Sequence, residues 1–228
     1  FPVEPSRWGE HPIYLAGAVL SWAESRAGEG PLLKRPRLLN RLDLGTSGVL
    51  LFALSLEAER FYRGLFAAAA VEKVYHALVI GMLDEPGVVD APIGPDERRV
   101  GRMRVDGSGK AAQTSYTPLE VFHGHTWIEA RPRTGRTHQI RVHMASLGHP
   151  LAVDETYGGS TSMLLSHLKR SYRPKPGRPE KPLLDRLSLH AAAVRVPRFD
   201  GGGELEITAP LPADLERTLR QLRRWTPR

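Results

Sequence analysis

The sequence predicts an α+β fold: a mixed, largely antiparallel central sheet with flanking helices. Two observations carry this. Short apolar stretches of strand length dominate, and helical spacing is confined to a few segments. Many of the intervening connections are short and rich in turn-forming residues, and no internal repeat is present.

Residues 13–25 read as a helix inside a Pro- and Gly-dotted opening that runs to Arg37. Residues 48–54 read as a strand, apolar on both faces and therefore central. Ser55 offers an N-cap, and Glu57 and Glu59 sit at the positive end of the following helix dipole. Ala58, Phe61, Tyr62, Leu65, Phe66 and Ala69 then recur at helical spacing. A strand over 73–80 ends at Gly81. Strands over 111–122 and 126–130 flank the turn His123-Gly124-His125. A short helix over 138–147 has Gly148 as its C′ residue and Pro150 as its stop. Strands over 187–196 and 204–208 close the sheet across Asp200-Gly201-Gly202-Gly203. A last helix over 213–225 turns Leu215, Leu219 and Leu222 inward.

At 228 residues, 41% apolar and 25% charged, the chain is expected to form a single domain over 1–228. Its longest apolar run, 13–23, is broken by glycine and shorter than the roughly 20 residues a membrane span needs. No secretory signal is visible behind Glu4 and Arg7. A cytoplasmic monomer with no membrane partner is expected. Phe1 stands where an initiator methionine would, so a trimmed or processed start is expected as well. The absence of cysteine excludes disulfides and thiolate metal sites. The net charge of +7 and the pI of about 10.0 favour a polyanionic partner.

One segment stands apart. Residues 158–186 hold Pro174, Pro176, Pro179 and Pro182 with Lys169, Arg170, Arg173, Lys175, Arg178 and Lys181. This reads as a basic, Pro-rich insertion between core elements, suited to a phosphate backbone. A solvated loop is the plainer reading; otherwise Lys169, Arg170 and Arg173 are its candidate phosphate contacts.

Asp43 lies in Arg41-Leu42-Asp43-Leu44-Gly45-Thr46-Ser47-Gly48, at the mouth of the first predicted strand. A carboxylate there needs a partner or a task. Taken alone, it could serve as a turn residue that accepts backbone N–H bonds. A second stretch, Thr134-Gly135-Arg136-Thr137-His138-Gln139-Ile140-Arg141-Val142-His143, supplies a partner. Arg141 falls about one and a half turns beyond Gly135, where its guanidinium could hold the Asp43 carboxylate charged and oriented. A buried ion pair without a catalytic role is the plainer reading of the same residues.

His138, His143, His149 and Asp154 invite a metal reading. His138 and His143 are five apart, which puts them on different faces of a helix, whereas a zinc pair needs i, i+4 spacing. Packing and hydrogen bonding are expected instead, with no metal. Gly45-Thr46-Ser47-Gly48 lacks the glycines and lysine of a triphosphate-binding loop, and Ser47 is not in a nucleophile elbow.

These segments together resemble the RluA-type family of RNA pseudouridine synthases. Residues 40–48 look like the family's H-R-L-D-x-x-T-S-G motif, and Lys73-Val74-Tyr75 is similar to its K-x-Y strand. Lys110-Ala111-Ala112-Gln113-Thr114 resembles its G-K-x-A-x-T strand, and residues 135–143 its G-R-T-H-Q-I-R-V-H motif. Leu147-Gly148-His149-Pro150, Asp154, Tyr157-Gly158 and Leu189-His190-Ala191 follow the family pattern too, so the matches span about 40–195 in order.

The resemblance implies the pseudouridine synthase fold and isomerisation of specific uridines in structured RNA, ribosomal RNA first and transfer RNA next, with no cofactor. It implies that Asp43 is the catalytic carboxylate, Tyr75 the ring that stacks on the target base, and Arg141 the partner of Asp43. Arg41 would fill the space left by a flipped nucleotide, with Arg136 and His138 also at the RNA. The chain departs from the pattern at Asn40, where histidine is usual, and no N-terminal S4 module of the kind many relatives carry is expected in it. Residues 1–5 are expected to preserve the tail of the family's opening strand. The alternative is a non-catalytic RNA-binding or RNA-remodelling protein that uses the same cleft.

Overall fold

In the computed structural model, which describes residues 15–26, 36–174 and 177–228, one long strand divides the core in two. The helix start at Ile13 and Tyr14, the 1–5 segment, and Lys175 and Pro176 of the basic segment lie outside the described residues. The elements are α1 Leu15–Ser25, β1 Arg37–Leu38, β2 Ser47–Gly48, β3 Phe52–Ala53, α2 Leu56–Ala67, β4 Glu72–Ile80, β5 Gly87–Asp90 and β6 Ile93–Pro95. They continue as β7 Met103–Val105, β8 Gln113–Phe122, β9 His125–Pro132, α3 Gln139–Ser146, α4 Leu165–Leu168, β10 Leu189–Pro197, β11 Glu204–Thr208 and α5 Ala213–Trp225.

The main sheet runs β11-β10-β4-β9-β8-β5 with antiparallel neighbours, and β2 joins β10 in parallel. It is therefore mixed and largely antiparallel. Along β4, side chains alternate between the faces. Leu78 packs with Phe122, Trp127, Leu215, Leu219 and Leu222, which puts α5 on one side. Ala77 and Val79 pack with Ile128, Ala130, Ile140 and Met144, which puts α3 on the other. Tyr75 shares the α3 face.

Local chemistry accounts for the helix ends. The Ser55 hydroxyl accepts from the Ala58 N–H at 3.1 Å and caps α2. Gly148, at φ +83°, ends α3 in a Schellman arrangement. The Gly148 N–H reaches the Ala145 carbonyl at 3.0 Å, and the His149 N–H reaches the Met144 carbonyl at 3.0 Å.

The structure corrects one predicted element. Residues 48–54 do not form a central strand; they break into β2 and β3, and β3 pairs only with β1 in a separate two-stranded ribbon. The Asn40 side chain explains the break. Its amide donates to the Val49 carbonyl at 3.3 Å and its oxygen accepts from the Leu51 N–H at 2.7 Å. A side chain thus takes backbone groups that a ladder would have used.

Among its described residues the 158–186 segment carries only the short α4 as regular helix, yet it is tied down. Met163, Leu168, Leu183 and Leu184 are buried in the α5-side core, and Met163 bridges to Leu184.

Candidate active site

The Asp43 turn is shaped by glycine and held from beneath. Thr46 N–H closes it onto the Asp43 carbonyl at 2.9 Å, with Gly45 at φ +86°. Gly48, at φ +118°, lies so close to β10 that a Cβ there would fall 2.1 Å from the Ala191 carbonyl oxygen. Only glycine permits this parallel pairing. The Ser47 hydroxyl meets His190 Nδ1 at 2.9 Å, and His190 Nε2 faces the Ala209 carbonyl at 3.2 Å. A carbonyl only accepts, so the ring proton sits on Nε2, and Nδ1 accepts from Ser47. Arg186 donates to the Gly45 carbonyl at 3.1 Å while Asp214 grips it at 2.7 and 2.8 Å.

The 134–138 loop gains its shape from Gln139. The Gln139 oxygen accepts from the Arg136 N–H at 3.0 Å and the Thr134 hydroxyl at 2.7 Å. Its amide nitrogen donates to the Gln113 carbonyl and the Thr114 hydroxyl of β8, at 2.8 and 2.9 Å. This satisfies the start of α3, whose N-cap His138 makes no capping bond and sits at φ +56°. Six of the eight α3 residues are buried, Gln139 to Met144, so Arg141 is carried inside the protein.

The charged centre is a triad. Arg141 Nη1 donates to Asp43 at 3.2 Å, as the sequence predicts. Its Nε and Nη2 reach the two oxygens of Asp154 at 2.7 and 2.9 Å, a bidentate pairing. The Arg141 and Asp154 side chains are 7% and 1% exposed, whereas Asp43 keeps 25%. Burial opposes the Arg141 charge, but its bonds to Asp154 and Asp43 outweigh that and raise its pKa. The Arg141 guanidinium also lies 5.0 Å from the centre of the Tyr157 ring. The Tyr157 hydroxyl accepts from the Met103 N–H at 2.9 Å and meets His138 Nδ1 at 2.9 Å. Burial lowers the His138 pKa, so its ring is neutral and accepts from Tyr157.

A cavity of about 420 Å³ opens over this triad, lined by Asp43, Lys73, Tyr75, Arg136, His138 and Arg141. Its size suits a small ligand. Arg41 lines it too, and a second hollow of about 490 Å³ shares Arg41, Asp43 and His138. Burial, and then the Asp43 charge, push the Tyr75 hydroxyl up to about 12, so it stays a neutral donor. Burial pulls the Lys73 ammonium down to about 8, and its nitrogen donates to the Thr134 carbonyl at 2.9 Å.

The structure thus unites Asp43, Tyr75, Arg141, Arg41, Arg136 and His138 around one hollow. It does not bring Lys169, Arg170 and Arg173 there. Lys169 lies 4.6 Å over the Trp225 ring at the end of α5, on the opposite face of the sheet, and Arg170 and Arg173 are exposed beyond it. The histidines of the metal reading have separate partners. His143 pairs with Thr114 and the Ala91 carbonyl, His149 with the Ile80 carbonyl, and Asp154 with Arg141. Asp154, Tyr157, Lys73 and Gln139 make contacts at the site that motif spacing alone did not assign.

Residues 10–146 match the family model described as RNA pseudouridylate synthase, more than half of the chain. The chain belongs to the RNA pseudouridylate synthase family. Three curated relatives agree. An RNA pseudouridine synthase of Chloroflexus aurantiacus, itself uncharacterised, is 41% identical over 91% of the chain and 60% of its own length. The ribosomal large subunit pseudouridine synthase D of Nitrosomonas europaea is 36% identical over 91% of the chain and 57% of its length. Synthase C of Vibrio cholerae is 39% identical over 82% and 55%. The chain therefore spans between 55% and 60% of the length of these relatives. Human RNA Pseudouridylate Synthase Domain Containing 1 superposes with a TM-score of 0.61 at 29% identity, covering 84% of this chain and 81% of that one. Human RNA Pseudouridylate Synthase Domain Containing 4 shares the pseudouridine synthase fold at a TM-score of 0.70 and 23% identity, over 98% and 86%.

Proposed function

We propose that this pseudouridylate synthase family member isomerises specific uridines in structured RNA to pseudouridine. The observation that supports it most is the Asp43 carboxylate, held at 3.2 Å by Arg141 in the cavity that Tyr75 also lines. Isomerisation breaks the bond between ribose C1′ and uracil N1, turns the base over, and re-forms the link through C5. It needs no net redox change. An ionised carboxylate serves as nucleophile at C1′ or as base at the ribose, while the cavity keeps the detached ring from leaving.

The target must first leave its stack, which costs a few kcal/mol. Stacking on Tyr75 returns about 1–3 kcal/mol, and Arg41, exposed at the cavity rim, occupies the gap in the RNA. Arg136 and His138 contact the flanking RNA. Ribosomal RNA is the favoured substrate, because curated relatives are named for the large ribosomal subunit; transfer RNA stands second.

Bonding through C5 expels the proton from that carbon, so RNA carrying tritium at uracil C5 reports turnover directly. Purified protein is expected to release label from ribosomal RNA lacking this modification. Binding of that RNA with no release from ribosomal or transfer RNA would favour the non-catalytic alternative.

A further inference from the structure

We propose that the Lys73 ammonium faces the uracil ring in the cavity and stabilises the negative charge the base carries once its bond to the ribose has broken. This rests on the reading that the substrate is a uridine. Lys73 and Tyr75 are two apart on β4, so their side chains stand on the same face, and both line the cavity over Asp43. Of the three hydrogens on the ammonium, one is spent on the uncharged Thr134 carbonyl at 2.9 Å. Among the described residues Lys73 makes no ion pair. A partly buried cation without a counter-charge is costly, and an anion that forms in the cavity removes that cost at the moment of reaction. Burial lowers its pKa to about 8.

The chemistry balances without a further reactant. When C1′–N1 breaks, the electron pair stays on the base and spreads over N1 and the ring oxygens. C5 then bonds to C1′, the proton on C5 leaves, and N1 gains one. Lys73 keeps its own proton throughout and donates hydrogen bonds to the ring oxygens. The charged and titratable groups around it are Arg41 and Asp43 beside the turn, Tyr75 on its own strand, and Arg136, His138 and Arg141 from the loop and α3. Glu72, Arg131 and Arg133 line the adjoining hollow that Lys73 shares.

The test measures label release, RNA affinity and pH profiles for Lys73→Met, Lys73→Gln and Lys73→Arg. Loss of one preorganised donor is expected to lower kcat by about 10²-fold in Lys73→Met, with RNA affinity little changed. Lys73→Gln, which can keep the Thr134 bond, is expected to lose as much and stands in if the methionine variant does not fold. The kcat/KM of the wild type should fall above about pH 8 as the free enzyme loses the Lys73 proton. Lys73→Arg should recover activity and move that alkaline limb upward. A folded Lys73→Gln with undiminished kcat, or a limb that stays in place in Lys73→Arg, overturns the proposal while wild-type turnover leaves the uridine reading intact. Absence of label release by the wild type removes both.

Discussion

Asp154 grips Arg141 with both carboxylate oxygens, at 2.7 and 2.9 Å, and so aims the remaining guanidinium edge at Asp43. The Asp154 backbone carbonyl is itself tied to Gly159 N–H at 2.8 Å, which fixes the carboxylate from the chain side. Asp154→Asn keeps the shape and removes the charge. Breaking a buried pair typically costs roughly 3–5 kcal/mol, and the low end is expected because Asp43 remains as a partner. Urea unfolding checks the stability, and label release should fall with it. A variant as stable and as active as the wild type would contradict the triad.

The Asn40 side chain takes the place of a strand ladder. Asn40→Ala deletes the bonds to Val49 and Leu51, each worth about 1 kcal/mol, so a loss of about 1–3 kcal/mol is expected by urea unfolding. Asn40→Asp keeps the acceptor for Leu51 and loses only the donor to Val49, so it should fall between the two. Equal stability of all three proteins would show that the amide does not hold this segment.

The Tyr75 hydroxyl gives a pH signature. Its pKa is near 10 in the unfolded chain and about 12 in the folded protein. Both states hold the proton below pH 10, so stability there is untouched. Between pH 10 and 12 the unfolded state loses it first, and stability declines with rising pH. Tyr75→Phe should flatten that part of the decline, read by urea unfolding at pH 9 and 11. An identical slope in both proteins would place Tyr75 in a more polar setting.

Much of the site is legible in the chain because its groups sit in compact motifs. Asp43 and Arg141 are marked by the turn and helix-start residues beside them, and they do meet. Asp154 is visible only as a pattern position and as a member of an unpromising metal set. Its role depends on residues 151–159 folding back on α3, which spacing does not reveal. The strand expected over 48–54 fails for a similar reason: Val49 to Ala53 is an apolar run, and periodicity cannot show that the Asn40 amide takes its backbone groups. The location of Lys169 depends on how α5 covers the sheet, which is likewise a tertiary fact.

Lys169, Arg170 and Arg173 lie away from the cavity, so their contribution to RNA binding is separable from chemistry. Neutralising all three is expected to weaken RNA affinity and reduce the slope of log K against log salt, by about 0.7–0.9 for each phosphate no longer neutralised. Single-turnover kcat at saturating RNA should be unchanged. An unaltered salt slope would take this face out of the interface.

We propose that the Asp43 carboxylate performs the isomerisation in the cavity over Arg141. The direct measurement compares wild type and Asp43→Asn for tritium release from uridine-labelled RNA, with RNA affinity measured in parallel. No release by Asp43→Asn is expected, with an affinity close to that of the wild type. Turnover by Asp43→Asn at the wild-type rate would contradict it.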